Sequence, residues 1–225
     1  MFQAAHFRQH MTPLFETDSQ PPSSEQLEDG AVLLHRFATP NALDLLSEVS
    51  RIAQVAPFRN MVTPGGYTMS VAMTNCGRVG WVSDATGYRY EPIDPMTGTP
   101  WPAMPDAFVK LAAAAAAEAG FEGYDPDGCL INRYVPGAKL GLHQDRDEKD
   151  PWAPIVSVSL GLPAVFLWGG KRRSDPVRRL RLESGDIAVW GGPARFAYHG
   201  IAPIKNGEHP LTGPTRINLT FRKVF

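Results

Sequence analysis

The sequence predicts an α+β fold in which short strands form a double-sheet barrel or jelly roll and helices support it. Three observations predict this fold. From residue 128 onward, short runs of alternating apolar and polar residues are separated by Gly and Pro turns at even spacing. Glycine and proline number 21 each, which is too many for a protein dominated by long helices. Two stretches, 39–55 and 107–119, have a helical pattern.

Each predicted helix has its own signature. The segment 39–41 (Thr-Pro-Asn) provides a cap residue and a first-turn proline, and an amphipathic stretch then runs to Val55 with apolar side chains at Leu43, Leu46, Val49 and Ile52. The helix at 107–119 contains an alanine run at 112–117, whose small side chains allow close packing on a neighbouring element. Both helices are predicted to support the strands.

Alternation predicts six strands in the second half of the chain. They are Cys129–Tyr134, Ile155–Leu162, Ala164–Trp168, Leu180–Leu182, Ile187–Trp190 and Arg216–Arg222. The preceding segment, 58–105, is rich in aromatic residues, glycine and proline, and predicts hairpins and loops. Its one alternating run, 67–73, is interpreted as core more than as ligand contact.

The chain is predicted to have one folded domain. Residues 1–29 lack periodicity and include Pro21-Pro22-Ser23-Ser24, which predicts a poorly ordered extension before a domain at 30–225. A content of 43% apolar residues in 225 is enough to bury a core. The net charge of −1 excludes a broadly basic nucleic-acid coat protein and an acidic tail protein.

Cysteine usage and hydropathy predict the compartment. Cys76 and Cys129 cannot form a disulfide framework and belong to no CxxC pair, which indicates a reducing environment. No run approaches the ~20 apolar residues that span a bilayer. We therefore expect a soluble, cytoplasmic and monomeric protein with no membrane partner.

Two histidines and an aspartate form a candidate metal site. His143 and Asp145 follow an extended run, and residues i and i+2 of a strand point to one side. His199 offers a third ligand. Two histidines and one carboxylate that leave coordination positions open are the facial triad of non-haem Fe(II) oxygenases. Taken alone, the spacing is a weak signal, because a polar cluster of structural role is the commoner reason for it.

The last predicted strand places two arginines on one face. Ile217, Leu219 and Phe221 share one side of it, and the other side has Arg216, Asn218, Thr220 and Arg222. If this polar side faces the barrel interior, the guanidinium groups need anions, and a small dicarboxylate matches them. A solvated edge strand would show the same pattern.

Two further strands predict a polar interior. Asn132 and Tyr134 alternate on one strand, so an amide and a phenol point to one side. Ser157 and Ser159 make one side of the next strand small and polar. A barrel lined by small polar residues has room for a ligand.

These motifs together resemble one family. The sequence is similar, over about residues 30–225, to the AlkB family of bacterial iron- and 2-oxoglutarate-dependent nucleic-acid dealkylases. The similarity is carried by Asn132-Arg-Tyr134, Pro136-Gly137-Ala-Lys-Leu, His143-Gln-Asp145, Arg173, His199, Arg216-Ile-Asn218-Leu-Thr-Phe-Arg222, the segment Met61 to Asn75, and Trp101-Pro-Ala-Met-Pro105. It is far more specific than the metal triad alone.

The resemblance implies an architecture and a set of roles. The architecture is a double-stranded β-helix (jelly-roll) core at 103–225 with a β-hairpin nucleotide-recognition lid at 58–102. Fe(II) would be bound by His143, Asp145 and His199. The distal carboxylate of 2-oxoglutarate would be bound by Arg216, Asn218 and Tyr134, with Arg222 and Asn132 nearer the iron. Substrate would be contacted by Trp81, Tyr88, Tyr90, Asp147 and Arg173.

The implied activity is oxidative dealkylation of DNA. With O2 and 2-oxoglutarate, an N-methyl group of 1-methyladenine or 3-methylcytosine becomes an unstable N-hydroxymethyl, which releases formaldehyde and restores the base. Succinate and CO2 are coproducts. Single-stranded DNA is the preferred substrate, with duplex DNA and RNA as further ones, because a base inside a duplex must be flipped out.

A basic loop offers a local contact for phosphates. Six of the residues between Lys171 and Arg181 are basic and only Asp175 is acidic, so a solvated hairpin and a phosphate-binding loop are both open readings. Two alternatives to the dealkylase also remain open. One is a 2-oxoglutarate dioxygenase acting on a protein or small molecule. The other is a non-catalytic jelly-roll binding module with structural histidines.

Overall fold

A computed structural model describes residues 22–225 of the chain. Two antiparallel sheets and one hairpin contain fourteen strands in this part of the chain. They are β1 (Ser23–Glu28), β2 (Ala31–His35), β3 (Arg59–Val62), β4 (Thr68–Gly77), β5 (Gly80–Asp84), β6 (Gly87–Glu91), β7 (Gly128–Tyr134), β8 (Leu140–His143), β9 (Ile155–Gly161), β10 (Ala164–Trp168), β11 (Arg178–Leu182), β12 (Ile187–Trp190), β13 (His199–Ile201) and β14 (Arg216–Arg222). The helices are α1 (Ala42–Val55) and α2 (Asp106–Glu118).

The sheets face each other as in a jelly roll. The larger sheet has eight strands in the order β1-β2-β12-β9-β14-β7-β4-β3, and the smaller has four in the order β11-β10-β13-β8. The predicted jelly-roll architecture is confirmed, and all six strands predicted by alternation are present with ends within two residues. No helix in residues 22–225 is long and apolar enough to cross a bilayer.

The core has two layers, one on each face of the larger sheet. The outer layer packs both helices against the sheet, and an edge-on contact of Phe108 with Phe221 at 5.8 Å joins α2 to β14. Ala112, Ala115 and Ala116 are fully buried there, as the alanine run predicted. The inner layer lies between the sheets and contains large rings such as Trp168 and Trp190.

The apolar stripe of α1 agrees with the prediction at Val49 and Ile52 and differs from it in the first turn. Its buried residues are Ala42, Leu45, Val49 and Ile52. Leu43, which was predicted to lie on the apolar face, is 67% exposed. The predicted positions are three residues apart throughout, and at 3.6 residues per turn such a row drifts around the helix, so Leu43 lies about a third of a turn away from Val49 whereas Ala42 shares its side.

The predicted boundaries of the extension and the lid need correction. Residues 1–21 of the predicted extension lie outside the described residues, but 23–28 form β1, which pairs with β2. In the predicted lid, β3 and β4 join the larger sheet because β4 pairs with β7 along Ala72–Gly77. The hairpin β5–β6 is the part that forms a sheet of its own. The jelly-roll core therefore includes strands before residue 103.

The run 67–73 is divided between core and surface. Val71 and Met73 are buried in the inner layer, whereas Tyr67 is 78% exposed. Met69 and Met73 also line the central cavity. The interpretation of this run as core is therefore correct for its second half.

Candidate active site

A cavity of about 590 Å³ opens between the two sheets. Its walls include the polar face of β14, the ends of β7, the strands β8 and β13, and the hairpin β5–β6. Every residue predicted from the sequence as a metal, cosubstrate or substrate contact lines this cavity except Arg173. Arg173 lies at the rim, where its Nη1 donates to the backbone oxygen of Leu142 at 2.8 Å.

The predicted metal ligands come together. Asp145 Oδ1 lies 3.6 Å from His143 Nε2, and Asp145 Oδ2 lies 3.8 Å from His199 Nε2. His143 and His199 are directly opposite each other on the paired strands β8 and β13. Asp145 follows the end of β8, so its direction is set by the loop after the strand. The convergence predicted from the i, i+2 spacing is present, although the aspartate is not on the strand.

Backbone contacts fix the tautomer of both histidines. His143 Nδ1 is 2.9 Å from Gly141 O, and His199 Nδ1 is 3.1 Å from Ala197 O. A carbonyl only accepts, so each Nδ1 is the protonated nitrogen and each Nε2 lone pair faces the aspartate. This is the second contact that a metal-binding histidine normally makes.

The electrostatics keep Asp145 and His199 in their metal-binding forms. Burial, and then the nearby His143, lower the pKa of His199 to about 3, so its ring is neutral at pH 7. Burial opposes ionisation of Asp145, but Arg222 and the two histidines outweigh it and hold the pKa of this carboxyl well below its usual range. Two imidazoles and a carboxylate are the donor set of non-haem Fe(II) sites, and His199 and Asp145 are in the protonation states that this set requires.

Arg216 lies at the far end of β14 from the triad and is short of partners. Its side chain is 1% exposed, its Nη2 donates to Ser159 Oγ at 2.8 Å, and its guanidinium lies over the ring of Tyr134 at 4.9 Å. Its Nε and Nη1 are buried and have no hydrogen-bond partner among the described residues. A buried guanidinium with two unpaired nitrogens fits a carboxylate of a bound dicarboxylate.

Asn218 lies between Arg216 and Arg222 on the polar face of β14 and is hydrogen-bonded to the neighbouring strands β7 and β9. Asn218 Nδ2 donates to Ser157 Oγ and to Val158 O, both at 2.9 Å, while its Oδ1 accepts from Asn132 Nδ2 at 3.2 Å. Both hydrogens of the Asn218 amide are thus engaged, so Asn218 holds Asn132 in place. Asn132 Oδ1 is a further buried atom with no partner among the described residues.

Arg222, at the other end of the polar face of β14, lies beside the metal ligands. Its Nη2 and Nε donate to Asp145 Oδ2 at 2.8 and 3.1 Å, and its Nε also lies 3.2 Å from Glu148 Oε1. Arg216 and Arg222 are therefore the two ends of one polar face, as the alternation in β14 predicted, with the cavity between them.

Aromatic residues of the hairpin cover the mouth of the cavity. Trp81 stacks on Tyr88 with ring centroids 5.5 Å apart and planes 14° from parallel. Trp81 Nε1 donates to Asp147 Oδ2 at 3.2 Å, and the Tyr90 hydroxyl donates to Glu148 Oε1 at 2.6 Å. The predicted substrate residues of the hairpin and of the loop after β8 are thus in contact with one another.

Two buried charged residues of the site were not found from the sequence. Glu148 and Arg195 form an ion pair at 2.7 Å, and each side chain is 2% exposed. Both lie in segments without a periodic pattern, and they are 47 residues apart in the chain. Trp190, whose ring is 4.7 Å from that of His199, also lines the cavity and was predicted as a strand residue only.

Comparison with known proteins agrees with this geometry. The 2OG-Fe(II) oxygenase superfamily model matches residues 30–222. The chain is 60% identical to the alpha-ketoglutarate-dependent dioxygenase AlkB of Escherichia coli (strain K12) over 202 residues, which are 90% of this chain and 94% of that protein. This chain belongs to the AlkB family of 2OG-Fe(II) oxygenases. The predicted cofactors Fe(II), 2-oxoglutarate and O2 are those of the AlkB family.

Other AlkB relatives extend the comparison. The solved structure of OsALKBH1 matches with a TM-score of 0.77 and 31% identity, covering 89% of this chain and 100% of that one. The DNA N(6)-methyladenine demethylase ALKBH1C of Arabidopsis thaliana is 34% identical over 60% of this chain and 35% of its own length. The tRNA demethylase abh1 of Schizosaccharomyces pombe is 31% identical over 59% of this chain and 45% of its own.

Proposed function

We propose that this protein is an oxidative dealkylase that reverses N-alkyl damage, such as 1-methyladenine and 3-methylcytosine, in single-stranded DNA. Duplex DNA and RNA are further substrates in this proposal. The observation that carries it is the content of one cavity: a His–Asp–His triad, a buried arginine with unpaired nitrogens, and a stacked Trp81–Tyr88 pair at the mouth.

Each group has an assigned role in the proposal. His143, Asp145 and His199 bind Fe(II), which with 2-oxoglutarate and O2 supplies the oxidising chemistry. Arg216 and Tyr134, supported by Asn218, bind the distal carboxylate of 2-oxoglutarate. Arg222 and Asn132 lie at its other end. Succinate, CO2 and formaldehyde are the products.

The hairpin and the loop after β8 recognise the damaged base. An alkylated base is a flat ring, and the exposed Tyr88 and partly exposed Trp81 offer faces on which it stacks. Tyr90 and Asp147 complete the wall. Arg173, whose Nη1 donates to the backbone oxygen of the cavity residue Leu142, contacts the nucleic acid in this proposal. Relatives named as DNA and tRNA demethylases support a nucleic-acid substrate.

Two exposed arginines on and just before β11 support docking of the phosphate backbone. Arg172 and Arg179 lie in the loop before β11 and on β11, and neither pairs with an acidic side chain in residues 22–225. Arg178 and Arg181 are engaged with Glu25 and Glu183. The free arginines therefore form a local positive surface on a chain whose net charge is −1.

The protein is further proposed to act as a monomer in the cytoplasm. The two buried cysteines, Cys76 and Cys129, are free thiols, which suits a reducing compartment. Gel filtration and fractionation of cells test these two statements.

The test of the activity is an aerobic incubation of the iron-loaded protein with 2-oxoglutarate and oligonucleotides that contain 1-methyladenine or 3-methylcytosine. Single-stranded DNA, duplex DNA and RNA of one sequence are compared, and base mass and succinate are read together. Loss of one methyl with matching succinate is the expected result. Succinate without demethylation on any strand would contradict the proposed substrate, and neither product from iron-loaded protein would contradict the activity.

A further inference from the structure

The loop that contains the metal ligand Asp145 has no regular structure of its own. Residues 144–153 form neither helix nor strand. A loop that lacks ladder hydrogen bonds holds its shape only through contacts with other parts of the chain. The position of Asp145 therefore depends on whatever side chains fix this loop.

Arg195 supplies three of those contacts, at widely spaced points of the loop. Its Nη1 donates to the backbone oxygen of Asp145 at 2.8 Å, its Nη2 to Glu148 Oε2 at 2.7 Å, and its Nε to the backbone oxygen of Ala153 at 3.1 Å. The guanidinium thus bonds to the start, the middle and the end of the loop. It does so while 2% exposed, where each contact is shielded from water.

Arg195 comes from the segment that leads into the third metal ligand. It directly follows the 3-10 turn Gly192–Ala194, and His199 is the first residue of the next strand, β13. Gln144 Nε2 donates to the backbone oxygen of Phe196, and the N–H of Gly192 donates to Trp152 O at 3.1 Å. The two ligand-bearing segments are therefore tied together at several points, with Arg195 at the centre.

We propose that Arg195 is a positioning residue that fixes the separation of Asp145 from His199 and so sets the affinity of the site for Fe(II). The inference rests on the proposed function of the triad as the iron site. Within residues 22–225, Arg195 does not line the cavity, and its hydrogen bonds go to Ala153, Asp145 and Glu148 and not to the proposed 2-oxoglutarate pocket around Arg216.

The geometry of these contacts requires arginine. A guanidinium is a flat fork whose nitrogens can reach three acceptors in different directions at once. A lysine at this position retains the charge beside Glu148 but has one ammonium group, which cannot replace all three contacts. Arg195→Lys is therefore expected to be intermediate between the native protein and Arg195→Met.

The matched control is Arg59→Met. Arg59 forms a buried ion pair with Asp94, at 2.6 Å and with side chains 12% and 1% exposed, and it does not line the cavity. Removing it costs a buried pair of the same kind in a different part of the fold. A loss of iron affinity that followed general destabilisation would appear in both variants.

The experiment measures Fe(II) dissociation constants by anaerobic equilibrium dialysis, with melting temperatures recorded for the same samples. We expect Arg195→Met to bind Fe(II) about 10–100-fold more weakly than the native protein, the range seen when contacts behind metal ligands are removed. Arg59→Met is expected to melt at a lower temperature with native Fe(II) affinity. Activity of Arg195→Met should be restored toward the native kcat by excess Fe(II).

Three outcomes would overturn the inference. Native Fe(II) affinity in folded Arg195→Met is the first, and an equal loss in Arg59→Met is the second. If Arg195→Met does not fold, Arg195→Lys decides, and native affinity in that variant is the third. Absence of Fe(II) binding by the native protein would instead reject the proposed function, so the two failures are distinguishable.

Discussion

The substitution Arg216→Met separates the cost of a buried charge from its use in binding. In the protein without ligand, each unsatisfied buried donor group costs about 1–3 kcal/mol, so the unpaired Nε and Nη1 together cost about 2–6 kcal/mol. The bond to Ser159 returns about 1.5–3 kcal/mol and the contact with the Tyr134 ring about 0.5–2 kcal/mol. These amounts nearly cancel, and burial accordingly lowers the pKa of Arg216. Arg216→Met is therefore expected to leave the free energy of unfolding close to the native value.

The same substitution should remove binding of 2-oxoglutarate. Two charged hydrogen bonds to a carboxylate are worth about 3–6 kcal/mol, which corresponds to about a 10²–10⁴-fold weaker dissociation constant. Native protein with 2-oxoglutarate at 100 times its dissociation constant gains about 2.7 kcal/mol, or about 5–11 °C in melting temperature for a domain of this size. The variant should show no such shift at that concentration.

The assay is thermal unfolding with anaerobic Fe(II), with and without 2-oxoglutarate. Arg59→Met is again the matched control, because its buried guanidinium has its carboxylate partner, Asp94, within the fold. Breaking that pair should cost about 3–5 kcal/mol yet leave the shift by 2-oxoglutarate intact. A native-sized shift in Arg216→Met would refute the assignment of the pocket. A loss of stability as large as that of Arg59→Met would refute the reasoning about its unpaired nitrogens.

Three further predictions concern the substrate wall, the basic surface and the triad. Trp81→Ala should raise KM for a methylated single strand about 5–150-fold, since stacking is worth about 1–3 kcal/mol per base, while Trp81→Phe retains most of it; equal KM values in steady-state kinetics would count against the wall. Reversing Arg172 and Arg179 to Glu should weaken single-strand binding and reduce the magnitude of the negative slope of log K against log salt by about 1.4. The same charge reversal at Arg51 and Lys110, which lie on the helices, should change neither the affinity nor the slope. Fluorescence anisotropy measures both quantities, and an unchanged slope in the Arg172 and Arg179 variant rejects the proposed surface. In chelator-treated protein, the pKa of His199 is about 3 when folded and near 6.5 when unfolded, so below pH 6.5 the unfolded state takes up a proton that the folded state does not. Stability should fall by about 1.4 kcal/mol per pH unit from pH 6.5 toward 3, and His199→Gln should lack this contribution in urea titrations; identical pH profiles would show that His199 is not buried as a neutral ring.

Residues on strands were predictable because the backbone of a strand fixes where each side chain points. The alternation in 216–222 alone placed Arg216 and Arg222 on one face and Phe221 on the other, and the structure has that arrangement. The edge strand β1 was not predictable in this way. Its side chains are nearly all polar and mostly exposed, and it is held by backbone pairing with β2 and by contacts such as Trp168 Nε1 to Glu28. Neither interaction leaves a periodic pattern in the sequence.

Functional residues on loops were predictable only where their residue type and spacing matched a known ligand pattern. Asp145 was found because a carboxylate two residues after a histidine is a known ligand spacing, although the strand geometry assumed for it ends at His143. Glu148 and Arg195 match no such pattern, because a charged residue in a polar loop is ordinarily solvated and nothing in the sequence indicates that it is buried. Each is buried because it pairs with the other, and the two residues are 47 positions apart in the sequence.

This difference between strand and loop divides the site into two parts that should respond differently to mutation. Arg216 and Tyr134 are oriented by paired strands, so the pocket proposed for the distal carboxylate persists when side chains elsewhere change. Asp145 is oriented by side chains, with Arg222 on its carboxylate and Arg195 on its backbone. A substitution at Arg195 should thus lower the affinity for Fe(II) and leave the contact of a dicarboxylate with Arg216 intact. A substitution at Arg216 should lower the affinity for the dicarboxylate and leave the affinity for Fe(II) intact. If both substitutions weakened both ligands equally, the strands and the loop would behave as one unit and this division would be wrong.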